Sequence, residues 1–355
     1  MMVPRVVFVL PSFAGGGAER VVLNLLQLVE RSIFTPALVV LDPRGPLARQ
    51  VPHDVLVHGL GHTKLRTAIP SLIRILRRLR SRVVFSTFTH ISLPLLAARP
   101  LLGDVRLVVR EANLPSANLA RMPWPAAFRE AFKCLYPTAD LVVASSMRMA
   151  HELCSLGVDR HKIEILYNPV NEPSLRLAAE PTMRIAGTGT RFVAAGRLHY
   201  QKGFDRLVEA MSELPPDTRC MLLGDGPERT RLEDQIDRRG LRQRVILAGY
   251  VPNPAPWIAG ADAFVMPSRF EGMPNAALEA LALGTPVVAT PEAGGIAEIA
   301  CVTIARSGAD FAAAMQRVDS KPQPSSSLLP EYFRMEAVAA RLNALLRRAA
   351  ESTRD

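Results

Sequence analysis

The chain has 355 residues, of which 48% are hydrophobic and 21% charged, a composition that excludes a disordered chain and suits two hydrophobic cores better than one. The net charge of +10 is one-sided: residues 1–171 hold 21 Lys and Arg against 11 Asp and Glu, and the remainder holds 22 of each. Such a field suits an anionic partner, with plain solubility as the competing reading.

The four cysteines (Cys134, Cys154, Cys220, Cys301) have no zinc-ligand spacing and read as buried small apolar residues. The apolar run at the N-terminus is too short for a secretory signal and leads into a Gly-rich turn. No stretch approaches the length that spans a bilayer. The expectation is a cytoplasmic protein, soluble or peripheral on the inner face of the cytoplasmic membrane. A nucleic-acid partner is not expected, since no recognised module accompanies the charge.

In chain order, apolar runs predict strands at 5–10, 35–41, 54–60, 82–88, 105–111, 139–145 and 162–168. Continuous β-branched runs are buried on both faces, which points to parallel strands covered by crossover helices. Residues 171–190 lack a sustained period and read as a linker. The pattern restarts with strands at 191–198, 218–224, 244–249, 262–268 and 285–290 and a weaker one at 300–305. Helices fit at 203–213, 227–239, 254–260 and 275–283. The Pro/Ser-rich stretch 321–328 breaks the pattern, a long amphipathic helix follows at 330–349, and 352–355 reads as frayed.

The expected division is therefore a first domain over 1–170, the linker 171–190, a second domain over 191–325, and a terminal segment 326–355. The fold class is α/β, two doubly wound Rossmann-like domains facing a cleft. Ligands in such sheets bind beyond strand C-termini, near helix N-termini. The loops that follow strands are the places to look.

In Gly196–Gly203, Arg197 offers a rigid fork of donors and Lys202 a mobile charge, both suited to a diphosphate. Two surface cations beside a turn is the competing reading. In 268–280, Glu271 lies in the loop and Glu279 about one turn into the next helix. Backbone N–H groups in the Gly272–Asn275 stretch, those of Gly272, Met273 and Asn275 on either side of Pro274, point off that helix start, where an anion is favoured. The two carboxylates suit sugar and ribose hydroxyls. Asp225 reads as a helix cap, and Glu298 as serving a helix start.

In the first half, Gly15, Gly16 and Gly17 allow close backbone approach to a ligand but lack the dinucleotide fingerprint spacing. His90 follows a strand and could bond a sugar hydroxyl. Arg110–Asn113 lies in the same row of loops. Residues 64–82 place Leu72, Ile73, Leu76 and Leu79 on one helical face with arginines around it. That pattern fits a basic helix on an anionic membrane, and also any crossover helix with a solvated face. Trp124, Phe128 and Phe132 among cations add to the membrane reading. No Asp-x-Asp pair is placed to carry a metal.

These motifs together resemble a retaining glycosyltransferase of family 4, also called glycosyl transferases group 1. The likeness is strongest through GRLHYQKGFDRLVEA, LLGDGPER and ADAFVMPSRFEGMPNAALEALALGTPVVAT, and GGGAERVVLNL matches the family's amino-terminal loop. It implies a GT-B fold whose last helix returns to the first domain. It implies that Arg197 and Lys202 bind the donor diphosphate, that Glu279 holds ribose, and that Glu271 contacts the donor sugar and supports the reaction. Gly16 and Gly17 would face phosphates or acceptor, and His90 the sugar. It implies a metal-independent transfer of a hexose or N-acetylhexosamine from a nucleotide diphosphate sugar, UDP ahead of GDP. The acceptor would be a hydroxyl of a membrane-anchored polyprenyl-diphosphate glycan in surface polysaccharide synthesis. The segment after Glu298-Ile299 departs from the family pattern. A nucleotide-sugar 2-epimerase of the same fold and a non-catalytic sugar-nucleotide binder are the alternatives.

Overall fold

The computed structural model describes residues 3–62, 65–306, 308–318 and 326–351. The chain divides into two compact units, Met1–Pro169 with Met335–Asp355, and Val170–Arg334.

In the first unit, β1 (Arg5–Ser12), β2 (Thr35–Asp42), β3 (Leu56–Gly59), β4 (Val83–Thr87), β5 (Arg106–Arg110), β6 (Leu141–Ala144) and β7 (Ile163–Ile165) form a parallel sheet in the order β3-β2-β1-β4-β5-β6-β7. Alternate residues feed separate cores: Val7, Val9, Val84 and Val109 on one face, and Val6, Phe8, Phe85 and Val108 on the other. This two-sided burial is why the strands read as unbroken apolar runs. Chain order reverses between β1 and β4, the position where doubly wound sheets bind ligands.

The Gly17–Leu28 helix and the Met335–Glu351 helix both bury their apolar stripes in the Val6/Phe8 core. Asn343 of the latter accepts from Glu30 N–H at 2.8 Å and donates to Leu28 O at 2.9 Å. This helix begins at Met335 rather than near 330, because Arg334 is extended behind a short turn at Glu331–Phe333.

In the second unit, β8 (Arg191–Ala195), β9 (Arg219–Leu223), β10 (Val245–Gly249), β11 (Ala263–Met266), β12 (Val287–Ala289) and β13 (Thr303–Ile304) form another parallel sheet, ordered β10-β9-β8-β11-β12-β13. The reversal lies between β8 and β11, so the loops after these two strands emerge side by side.

Several local expectations change. Segment 171–190 opens with a helix, Glu172–Ala178, capped by the Asn171 side chain and braced by a Glu172–Arg176 pair at 3.0 Å. Cys134 and Cys301 are exposed, and only Cys220 is fully buried. The basic stretch forms a helix over Leu65–Arg78, but Leu72 and Leu76 are fully buried in the unit's own core. Its apolar stripe is thus occupied, and Arg74, Arg77 and Arg78 face solvent. Phe132 is buried, Phe128 is half-buried against the same core, and Trp124 is 72% exposed. Lys64, residues 321–325 of the Pro/Ser-rich break and residues 352–355 lie outside the described residues. No helix of the described residues is long and apolar enough to cross a membrane.

Candidate functional site

The loop after β8 ends in a short helical turn, Tyr200–Lys202, closed by Gly203 in the left-handed region at φ 64°. The loop after β11 runs from Pro267 to the Asn275–Ala282 helix. A Cβ on Gly203 would strike Pro267 O, so the two loops approach more closely than a side chain permits.

Lys202 Nζ lies 2.7 Å from Glu271 Oε1. Glu271 is 6% exposed. It also accepts from Gln201 Nε2 at 3.2 Å and from Ser268 Oγ at 3.2 Å. A buried carboxylate needs such partners, because losing water without replacement is costly. Arg197 sits across the same loop, exposed and free of ion pairs among the described residues. One cation is therefore held and the other is open to solvent.

Pro274 is the N-cap of the Asn275–Ala282 helix, and no side chain caps it. Gly272, Met273 and Pro274 are buried, and Asn275 and Glu279 are half-buried. Gly295 N–H donates to Gly272 O at 2.7 Å, and Thr290 Oγ1 to Ser268 O at 2.6 Å. The turn after β12 thus props the Glu271 loop from behind. Gly294 stands at φ 74°, and a Cβ there would meet Gly272 O and Glu271 O. Gly294→Ala is expected to cost ~2–4 kcal/mol, from left-handed strain plus overpacking. Urea unfolding measures it, and a variant as stable as the parent would show that the prop is dispensable.

Two neighbours differ from expectation. The helix after β9 starts at Arg229 with no side-chain cap, and Asp225 instead accepts from Gly226 N–H at 2.7 Å. Glu298 ends the short Gly294–Glu298 turn rather than opening a helix. Asp225 differs because an acidic residue beside Gly signals a turn without fixing its direction, and Glu298 because the Gly-Gly turn before it closes as a short helical turn that ends there.

In the first unit, Gly16 is the exposed N-cap of the Gly17–Leu28 helix, without a side-chain cap. His90 lies in the first turn of the Thr89–Ala97 helix, its ring 5.5 Å from that of Phe88. His90 keeps an exposed edge, yet crowding by protein on its other side holds its pKa below the ordinary imidazole value. Phe88 takes φ 79°, strained for an aromatic residue.

A buried network fixes that turn. Glu111, fully buried, accepts from Thr89 Oγ1 at 2.8 Å and from the Tyr136 hydroxyl. Asn118 Nδ2 donates to Thr89 Oγ1 at 3.0 Å. Burial drives the Glu111 pKa up to about 7 against the opposing pull of these hydroxyls. Arg110 is buried too, bonded to Asn168 at 2.6 Å. Arg110 and Glu111 therefore lie beneath the loop they were expected to line, while Ala112 and Asn113 are half-buried. Gln201, Thr290 and Tyr136 escaped sequence reasoning, because each acts through a contact distant along the chain, and Ser268, three residues from Glu271, escaped it because a serine beside a loop carries no distinctive signal.

The chain thus holds two doubly wound units, the second carrying paired basic and acidic loops at its switch point. The family described as Glycosyltransferase Family 4 matches residues 15–172, and Glycosyl transferases group 1 matches residues 189–320. The chain belongs to this family and is a glycosyltransferase of the GT-B fold.

It is 27% identical over 81% of its length, and 81% of the relative's, to the N-acetylgalactosamine-N,N'-diacetylbacillosaminyl-diphospho-undecaprenol 4-alpha-N-acetylgalactosaminyltransferase of Campylobacter jejuni. It is 30% identical over 51% of its length to the lipopolysaccharide core biosynthesis glycosyltransferase LpsE of Rhizobium meliloti, and it spans about half, 54%, of that relative. Among solved structures, Anabaena HepE in complex with UDP and glucose superposes with a TM-score of 0.75 at 18% identity, over 99% of this chain and 100% of that one.

Proposed function

We propose that the protein is a retaining, metal-independent transferase that moves a hexose or N-acetylhexosamine from a UDP-sugar to a hydroxyl of a polyprenyl-diphosphate-linked glycan in surface polysaccharide synthesis. GDP is the next candidate base. The observation that carries this reading is the Lys202–Glu271 pair beside the open Arg197, at the ends of β8 and β11.

In this reading Arg197, Lys202 and the amides around Gly272–Asn275 bind the donor diphosphate. They stabilise the charge that develops as it leaves, where electrostatic catalysis acts. The two cations supply charge that a divalent ion would otherwise bring. Glu279 holds the ribose hydroxyls and Glu271 the transferred sugar. The departing phosphate takes the acceptor proton on the face it leaves, so no side-chain base is required. Gly16, Gly17 and His90 serve the acceptor side. The lipid-linked acceptor is supported by the named substrate of the Campylobacter relative and UDP by the HepE complex. Exposed Arg74, Arg77, Arg78 and Arg80 would draw the first unit to an anionic membrane surface, by about 1 kcal/mol for each side chain close to it. The protein is then peripheral on the cytoplasmic face.

The test is native mass spectrometry of the full chain against UDP-, GDP- and ADP-sugars, followed by transfer to a polyprenyl-diphosphate glycan. Selective UDP-sugar binding and a lengthened glycan are expected. Binding of none would remove the donor reading. Epimerisation of the sugar without acceptor would favour an epimerase. Glu279→Ala should weaken UDP binding about tenfold, the worth of one charge-assisted hydrogen bond; titration calorimetry with UDP measures it, and unchanged affinity would end the ribose assignment.

A further inference from the structure

Resting on that donor reading, we propose that Arg269 is a positioning residue that locks the Lys202 turn to the Glu271 loop. Its guanidinium grips Asp205 with two prongs, Nη1 to Oδ1 at 2.7 Å and Nη2 to Oδ2 at 2.6 Å. Nη1 also donates to Tyr200 O at 3.0 Å. The guanidinium carbon stands 4.2 Å from the centre of the Tyr200 ring. Arg269 N–H closes the frame by donating to Gln201 O at 2.8 Å.

These contacts hold the first residue of the Tyr200–Lys202 turn, the middle one and the helix that follows it. One residue of the turn is left, Lys202, whose backbone N–H bonds His199 O at 2.8 Å and whose ammonium is held by Glu271. Glu271 lies two positions after Arg269 on the same loop and takes a second bond from Gln201. Arg269 and Glu271 therefore grip the turn from opposite ends.

The grip is partly sheltered, with Arg269 16% and Asp205 22% exposed. Burial opposes ionisation of Asp205, but the hydrogen bonds from Arg269 outweigh it and hold the carboxyl below its ordinary pKa. A planar two-pronged, ring-stacked cation is a task for arginine that lysine cannot copy. A surface pair would be worth little, but this one sets where a phosphate-binding ammonium stands. Small displacements of such a group are expensive in a pre-organised site.

Two readouts test it on the full-length protein. One is the rate at which an amine-acylating reagent labels Lys202, scored by mass spectrometry with exposed Lys133 as the internal reference. The other is UDP affinity by calorimetry. Arg269→Gln, Arg269→Lys and Asp205→Asn should each speed Lys202 labelling several-fold and weaken UDP binding about tenfold, while the Asp205→Asn, Arg269→Gln double variant goes no further than either single one. Lys133 labelling should not change.

Parental labelling and affinity in variants that melt like the parent would overturn the proposal. So would weaker UDP binding with unchanged Lys202 labelling, since the effect would then bypass the turn. If labelling responds but the parent binds no UDP, the positional link stands and the donor reading falls.

Discussion

Replacing Arg197 or Lys202 with alanine is expected to lower the turnover of sugar transfer roughly 10²–10³-fold, the loss seen when one preorganised donor to a developing anion is removed. The two variants should differ in stability. Arg197 is exposed and unpaired among the described residues, so its loss should leave the melting temperature within a degree or two (~0.5 kcal/mol or less). Lys202→Ala deprives the 6%-exposed Glu271 of its cation and leaves Gln201 and Ser268 as its neutral partners. A further cost of about 1–3 kcal/mol should follow. Steady-state transfer assays and thermal melts on the same preparations separate the effects. Near-parental transfer by Arg197→Ala would sink the leaving-group assignment.

Glu111 should dominate the pH dependence of the first unit. Its pKa is raised from 4.5 to about 7, so its protonated form is the one the fold prefers. The sign follows from proton linkage: this contribution to stability is complete below pH ~4.5, shrinks as pH rises, and is gone above pH ~7. Melts from pH 4.5 to 8 should show the parent losing stability relative to Glu111→Gln across that window, since glutamine does not titrate. A parent that gains on the glutamine variant as pH rises would refute it. Glu111→Ala strands the buried Thr89 and Tyr136 hydroxyls and should cost about 3 kcal/mol or more at pH 5. His90 and the strained Phe88 turn rest on this network, so transfer should fall with it.

Most of the fold was legible because strands buried on both faces leave unbroken β-branched runs, as in β1, β4 and β6. β13 was marginal, and it has just two residues. The Glu172–Ala178 helix was missed because seven residues cannot display a helical period. The loops carrying Arg197, Lys202, Glu271 and Glu279 were legible because glycines and charges concentrate after strands. The contacts that frame the Lys202 turn and the His90 turn were not. Arg269 and Asp205 lie 64 positions apart, Thr89 and Glu111 22 apart, and no local pattern encodes such pairing. The Leu72/Leu76 stripe shows the converse limit, since a helix period reports an apolar face without naming what covers it.

The Met335–Glu351 helix has a consequence for the order in which the protein matures. Val338, Leu342, Leu345 and Leu346 complete a core whose other members, such as Phe8 and Leu25, are made more than 300 residues earlier. On the ribosome, then, the first unit to begin is the last to finish. Val170–Arg334 can close while the apolar groove over β4 and β5, beside the Gly17–Leu28 helix, still waits for its lid. A nascent chain stalled before residue 335 should therefore hold one native unit and one that is sticky, and so in need of a chaperone.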